Sequence, residues 1–227
     1  MALPLLLGHR GVRASTGIPE NTFASFDLAL QHGCDGFEFD VRLTACGTAL
    51  VCHDPKVGKI SIARAQARQL PQLPRLDEVI DRYGQLAFLD IELKVKDLES
   101  KVLSALSKSP PAQGYVVSSF IPDVVMDLEA RSSSVCIGLI CETSDQLARW
   151  RALPVDCVIL HQSLVNRLLV QDIQRAGCRV FVWTVNDQQT MRRLADWGVD
   201  AIISDKTELL ALTLKGTMSS GTHGLAG

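Results

Sequence analysis

The fold class that the 227-residue sequence predicts is an α/β protein, a parallel (β/α)8 barrel of the TIM type. Three observations predict it. Short apolar runs alternate with amphipathic stretches from one end of the chain to the other. The runs are of the type buried on both faces of a parallel sheet. Eight strand–helix units in this length favour a closed barrel over a doubly wound sheet. Gly8 and Gly11 also lack the third glycine of a dinucleotide-binding turn.

The elements follow in order. Leu3 to Gly8 reads as a first strand, and Thr22 to His32 as a helix stopped by Gly33. Gly36 to Leu43 alternates as a strand, with Glu38, Asp40 and Arg42 on one face and Phe37, Phe39 and Val41 on the other. Cys46-Gly47 turns the chain into a strand over Ala49 to Cys52. Lys56 to Arg75 is polar and irregular and is the longest candidate loop. A helix over Leu76 to Tyr83 precedes a strand over Leu86 to Lys94, with Asp90, Glu92 and Lys94 on one face. Further strands are predicted over Tyr115 to Ser118, Val135 to Ile140, Cys157 to Leu160, Arg179 to Thr184 and Ala201 to Ser204. The helices between and after them cover Asp97 to Lys108, Pro122 to Ala130, Ser144 to Arg151 (capped by Ser144), Val165 to Ala176, Asp187 to Trp197 and Thr207 to Leu214.

Hydrophobic residues make up 47% of the chain, enough for a sizeable core. The predicted organisation is one domain over residues 1–215 and a loose tail over 216–227. The net charge of −2 supplies no field for nucleic acid or an anionic membrane, so anion binding must come from a local cluster. No run approaches the ~20 apolar residues that span a bilayer. Met1 to Leu7 is too short for a signal peptide and has no basic flank. The expected setting is the cytoplasm and the expected partner a small molecule; the oligomeric state is open. The seven cysteines are odd in number and have no Cys-x-x-Cys spacing, which predicts buried free thiols.

In such a barrel the active site lies at the carboxyl ends of the strands. The polar residues there are His9, Arg10, Glu38, Asp40, His53, Glu92, Lys94, Ser118, His161, Trp183 and Asp205. Glu38 and Asp40 share a strand face, and Glu92 comes from the neighbouring strand. Converging carboxylates need a cation, and an all-oxygen set suits Mg²⁺ or Ca²⁺. The competing account is an internal ion-pair network with Lys94 and Arg42. His9 and His53 flank the cluster, each beside a charged residue, and imidazole is the side chain that can serve as a base at one position and an acid at the other. His32, at a helix end, reads as exposed and structural; His223 has no assigned role.

These residues carry a family resemblance. Gly8-His9-Arg10-Gly11, Pro19-Glu20-Asn21-Thr22, Phe37-Glu38-Phe39-Asp40-Val41, His53-Asp54 and Ile91-Glu92-Leu93-Lys94 resemble the ordered motifs of the glycerophosphodiester phosphodiesterase family. Ser118-Ser119-Phe120, Val182-Trp183-Thr184-Val185-Asn186 and Ser204-Asp205 resemble its later ones. The resemblance implies a TIM barrel that hydrolyses glycerophosphodiesters to glycerol 3-phosphate and an alcohol with one divalent ion. It implies His9 and His53 as the acid–base pair and Glu38, Asp40 and Glu92 as metal ligands. Glu20 would be a further ligand or an orienting group. Arg10 and Lys94 would bind phosphate, Asn21 would fix its loop, and Trp183 would line the pocket for the alcohol. Arg10, Glu20, Lys94, Ser118 and Trp183 form the expected substrate-binding set.

The departure from the family follows His53-Asp54. Lys56 to Arg75 is shorter than the cap insertion of many relatives and lacks its usual opening. A reduced cap opens the mouth to bulkier headgroups. One alternative is therefore a phospholipase acting on lysophospholipids or phosphoinositides, with Ile60, Ile62 and Leu70 as an apolar rim. The other is a barrel that binds phosphorylated ligands without turning them over.

Overall fold

The computed structural model describes residues 3–14 and 17–216. Its strands are β1 (Leu5–Gly8), β2 (Gly36–Leu43), β3 (Ala49–Val51), β4 (Lys56–Val57), β5 (Ile60–Ser61), β6 (Phe88–Leu93), β7 (Tyr115–Ser119), β8 (Ile137–Cys141), β9 (Cys157–His161), β10 (Arg179–Trp183) and β11 (Ala201–Ser204). Its helices are α1 (Phe23–Gln31), α2 (Leu76–Tyr83), α3 (Glu99–Lys108), α4 (Pro122–Arg131), α5 (Ser144–Leu147), α6 (Arg167–Arg175), α7 (Gln188–Trp197) and α8 (Thr207–Lys215). β1, β2, β6, β7, β8, β9, β10 and β11 form a parallel ring, closed because β1 pairs with both β11 and β2. This is the predicted barrel. No helix among the described residues is long and apolar enough to cross a membrane.

Alternation along each strand builds two cores. Phe37, Phe39 and Val41 of β2 and Leu89, Ile91 and Leu93 of β6 face outward into the layer shared with the helices. Phe26, Phe37 and Tyr83 anchor that layer, with Phe26 stacked on Phe37 at 4.2 Å. The inward set from Leu7, Phe88, Val116, Ile140, Ile159, Phe181 and Ile203 fills the barrel. On β2 and β6 the upper inward positions are acidic, and the register sets Glu38 against Asp90 and Asp40 against Glu92.

Local signals explain the helix ends. Thr22 caps α1, accepting from the Ser25 N–H while Ser25 Oγ accepts from the Thr22 N–H. Asp187 caps α7, which stops at Gly198 with φ 79°.

Several expectations are corrected. The predicted helix from Ser144 is one turn long, is capped by Thr143, and gives way to a 3₁₀ turn over Trp150–Ala152. The expected strand after Cys46-Gly47 is present as β3, which pairs antiparallel with β2 outside the parallel ring. Lys56 to Arg75 is not irregular: it forms the β4–β5 hairpin and two 3₁₀ turns, pinned by Leu50, Ile62, Ala65 and Leu70. Ile62 and Leu70 are therefore buried and form no rim, leaving Ile60 exposed at the hairpin. The cysteines are free as expected, but only Cys34, Cys141 and Cys157 are buried. Cys46 is exposed, and the Thr44 and Thr48 hydroxyls and the Ala67 N–H hold its thiol down at about 6. The tail from residue 217, with His223, lies outside the described residues.

Close approach of β2 and β6 depends on Gly36, where a Cβ would sit 1.9 Å from the Phe88 carbonyl oxygen. Gly36→Ala should therefore force the two acidic strands apart at roughly 1–3 kcal/mol, lowering Tm by roughly 2–12 °C in a thermal melt.

Candidate active site

The loop after β1 brings the first half of the site together. Arg10 and Asn21 both adopt left-handed backbone conformations, with φ 53° and 57°. Hydrogen bonds hold them there. The Asn21 N–H and Ser25 Oγ donate to the Arg10 carbonyl, and the Arg10 N–H donates to Glu38 Oε2 at 2.9 Å. Asn21 Nδ2 donates to Asp40 Oδ2 at 2.8 Å, and its Oδ1 accepts from the Asp40 N–H. Gly11, at φ 78°, passes so close to Ser25 that a Cβ would lie 2.6 Å away. The loop is thus tied directly to the acidic face of β2.

Glu38, Asp40 and Glu92 each place an oxygen within 4.8 Å of the others. With Asp90 below, four carboxylates face two cations, Arg10 and Lys94. Lys94 Nζ lies 2.7 Å from Glu92 and 3.2 Å from Asp40, and Arg10 Nε lies 3.3 Å from Asp40. Part of the predicted ion-pair network is therefore present. Arg42 takes no part in it, since its Nε donates to the His53 carbonyl oxygen. The four carboxyls outnumber the two cations, and Glu20 also engages Arg10; the buried oxygen Glu38 Oε1 has no hydrogen-bond partner, and Asp40 Oδ1 has only the Lys94 ion pair. A hard divalent cation fits that donor set.

The electrostatics follow from burial. Desolvation, and then Asp40, push Glu38 well above the usual carboxylate range. Desolvation with Asp40 likewise raises Glu92 to about 7. Desolvation raises Asp90 to about 7 against the hydrogen bond from Ser118. Burial opposes ionisation of Asp40 too, but Lys94 and Arg10 outweigh it and hold Asp40 below its ordinary value.

The two imidazoles share one wiring. His9 Nδ1 lies 2.7 Å from Asp205 Oδ1, and His53 Nδ1 lies 2.8 Å from Asp54 Oδ1. With the carboxylate on Nδ1, Nε2 is the nitrogen left for chemistry. Asn186 completes the support behind His9: its Nδ2 donates to Asp205 Oδ2, and its Oδ1 accepts from the Asp205 N–H. Burial opposes ionisation of Asp205, but the hydrogen bonds from His9 and then Asn186 outweigh it and keep the carboxyl below its ordinary range. Burial lowers His53, against the pull of Asp54.

His9, Arg10, Glu38, His53, Glu92, Lys94 and Trp183 line one cavity of about 410 Å³. Phe120, Ile140, Ile159 and Ile203 form its apolar side with Trp183, and Glu142 and Gln146 stand at its rim. Asp40 is 1% exposed, behind the lining. Glu20 sits outside it and clamps Arg10 and Arg13, at 2.7 and 2.8 Å. Ser118 is fully buried and donates to Asp90 Oδ1 at 2.6 Å, so it sits among the inward strand residues and is absent from the lining. His32 is half-buried and bonded to the Thr207 hydroxyl, a structural contact. The supporting roles of Asp205, Asn186 and Asp54 went unassigned in the sequence, although each stands at a strand end or beside a site histidine.

The model of the glycerophosphoryl diester phosphodiesterase family matches residues 9–77 and 78–209 of the chain. A glycerophosphodiester phosphodiesterase of Caldanaerobacter subterraneus subsp. tengcongensis is 29% identical over 241 residues, covering 93% of this chain and 98% of that protein. A phosphodiesterase of Oleispira antarctica, solved in complex with the product sn-glycerol-3-phosphate, superimposes with a TM-score of 0.80 at 27% identity. That match covers 93% of this chain and 96% of the other. A glycerophosphodiester phosphodiesterase from Thermotoga maritima has the same fold, with a TM-score of 0.80 at 24% identity over 93% and 98% of the two chains.

The raised carboxylates give a signed pH dependence. Glu92 and Asp90 release protons near 7 in the fold but near ~4 when unfolded, so between these values the folded state holds more protons. In EDTA this cluster should make stability fall as pH rises through that window. Millimolar Mg²⁺ or Ca²⁺ should raise Tm more at pH 8 than at pH 5. A concentration about a hundredfold above Kd contributes about 2.7 kcal/mol, or roughly 5–10 °C in a calorimetric scan.

Proposed function

The chain belongs to the glycerophosphoryl diester phosphodiesterase family and is a glycerophosphodiester phosphodiesterase, and from that footing we propose how its residues divide the work. The reaction is hydrolysis to glycerol 3-phosphate and an alcohol, carried by one domain over residues 1–215. The observation that supports this division best is the single cavity in which two imidazoles, each backed by an aspartate, meet a cluster of carboxyls whose oxygens lie within 4.8 Å of one another.

Glu38, Asp40 and Glu92 would hold a divalent cation, Mg²⁺ or Ca²⁺, which would supply neutralising charge to the phosphoryl oxygens. Arg10 and Lys94 are the fixed cations that bind and orient the phosphate, and charge building on its oxygens in the transition state strengthens both contacts. Glu20 keeps the guanidinium of Arg10 in place. One imidazole takes the proton from the attacking oxygen as that oxygen bonds to phosphorus. The bond from phosphorus to the leaving alcohol breaks, and the other imidazole supplies its proton. The attacker is water, or the substrate's neighbouring glycerol hydroxyl, in which case water then opens the cyclic phosphate. Trp183 and the apolar side of the pocket exclude water from the leaving group.

His9→Ala and His53→Ala should each lower kcat on glycerophosphocholine or glycerophosphoethanolamine by roughly 10²–10⁴-fold, and EDTA should abolish turnover. Near-normal activity of either variant would overturn its assignment. Asp205→Asn should lower kcat by roughly 10–100-fold, because His9 loses the group that fixes its tautomer.

A further inference from the structure

We infer that Glu142 reads the charge of the leaving alcohol, making cationic alcohols the preferred leaving groups; this rests on the phosphodiesterase reading above. The inference starts from the strand. Ile140 of β8 points into the barrel and lines the cavity, and two residues on, Glu142 lines it as well. In the ring order, β8 stands four strands from β1 whichever way the ring is counted. Glu142 is therefore across the barrel from His9 and Arg10.

The cavity is consequently polarised. The phosphate side carries Arg10, Lys94 and the acidic cluster that holds the cation. The far side is apolar except for the rim, where Glu142 is the ionisable group. Its carboxylate enters no ion pair among the described residues, so its charge is not already neutralised. Its backbone is held, because the Glu142 N–H donates to Gln146 Oε1 at 2.8 Å in a capped turn. Two aromatic rings line the same cavity, Phe120 edge-on to Trp183 at 5.7 Å, with Lys94 Nζ over the Phe120 ring. A lone carboxylate on a cavity side that is otherwise apolar and carries Trp183 suits an ammonium group and not a neutral polyol. A diester with a cationic alcohol presents the complementary pair of charges, phosphate at one end and ammonium at the other.

The test compares kcat/KM for glycerophosphoethanolamine and glycerophosphoglycerol in the wild type, Glu142→Gln and Glu142→Lys. Comparing each substrate across variants removes the intrinsic difference between the two leaving groups. Glu142→Gln should lower the ethanolamine-to-glycerol ratio about fivefold, mainly through KM, as suits one partly exposed charge contact. Glu142→Lys should lower the ratio further, and raising the salt concentration should shrink the wild-type preference. An unchanged ratio in both variants overturns the inference. So does a parallel fall on both substrates, which would make Glu142 an anchor for the shared glycerol. A wild type that hydrolyses neither diester would instead overturn the underlying functional reading. Thermal melts of the two variants, which change an exposed side chain, separate loss of fold from loss of selectivity.

Discussion

Repulsion among the carboxylates of β2 and β6 is the constraint on which the rest of the site depends. The strand register sets Glu38 against Asp90 and Asp40 against Glu92, all facing inward and all buried. Such a group is unfavourable unless cations and donors are supplied. The surrounding features supply them in part. Lys94 leans back onto Glu92 and Asp40, and Arg10 enters from the β1 loop, clamped by Glu20. Asn21 spends both ends of its amide on Asp40. The compensation is incomplete, since four carboxyls face two cations, and that is the feature on which the proposed divalent-ion site rests.

The same arrangement divides the cavity. Strands β1, β2 and β6 carry the charged residues, whereas β7, β8, β9 and β10 contribute Phe120, Ile140, Ile159 and Trp183. A phosphodiester has a matching asymmetry, with a charged centre that undergoes reaction and an alcohol that must be recognised and released. On the proposed division these tasks fall to opposite arcs of one ring, so loop changes on one arc could alter the alcohol without disturbing the chemistry.

Much of this was legible before any coordinates. Period-2 alternation put Glu38 and Asp40 on one face of Gly36 to Leu43 and Asp90 and Glu92 on one face of Leu86 to Lys94, and the placement of His9 and His53 at strand ends followed from the same reading. What escaped depends on long-range geometry. Asp205 is 196 residues from His9, and no local pattern pairs them. Ser118 has the right strand for a substrate contact, but its inward position gives its hydroxyl to Asp90. Ile62 and Leu70 look like surface residues among arginines until Leu50 is seen to pack against them. Ser144 and Thr143 are both competent caps, and the choice between them turns on which one's backbone is extended.

The bond between His9 and Asp205 also orders events in time. A ribosome releases β1 first and β11 last. A chain that has emerged only through β10 already contains both imidazoles, all the clustered carboxylates, Arg10 and Lys94. Yet β1 still lacks its neighbour on one edge, and His9 still lacks the carboxylate that sets its tautomer. Closure of the barrel and the support of the His9 imidazole therefore wait on one and the same strand end.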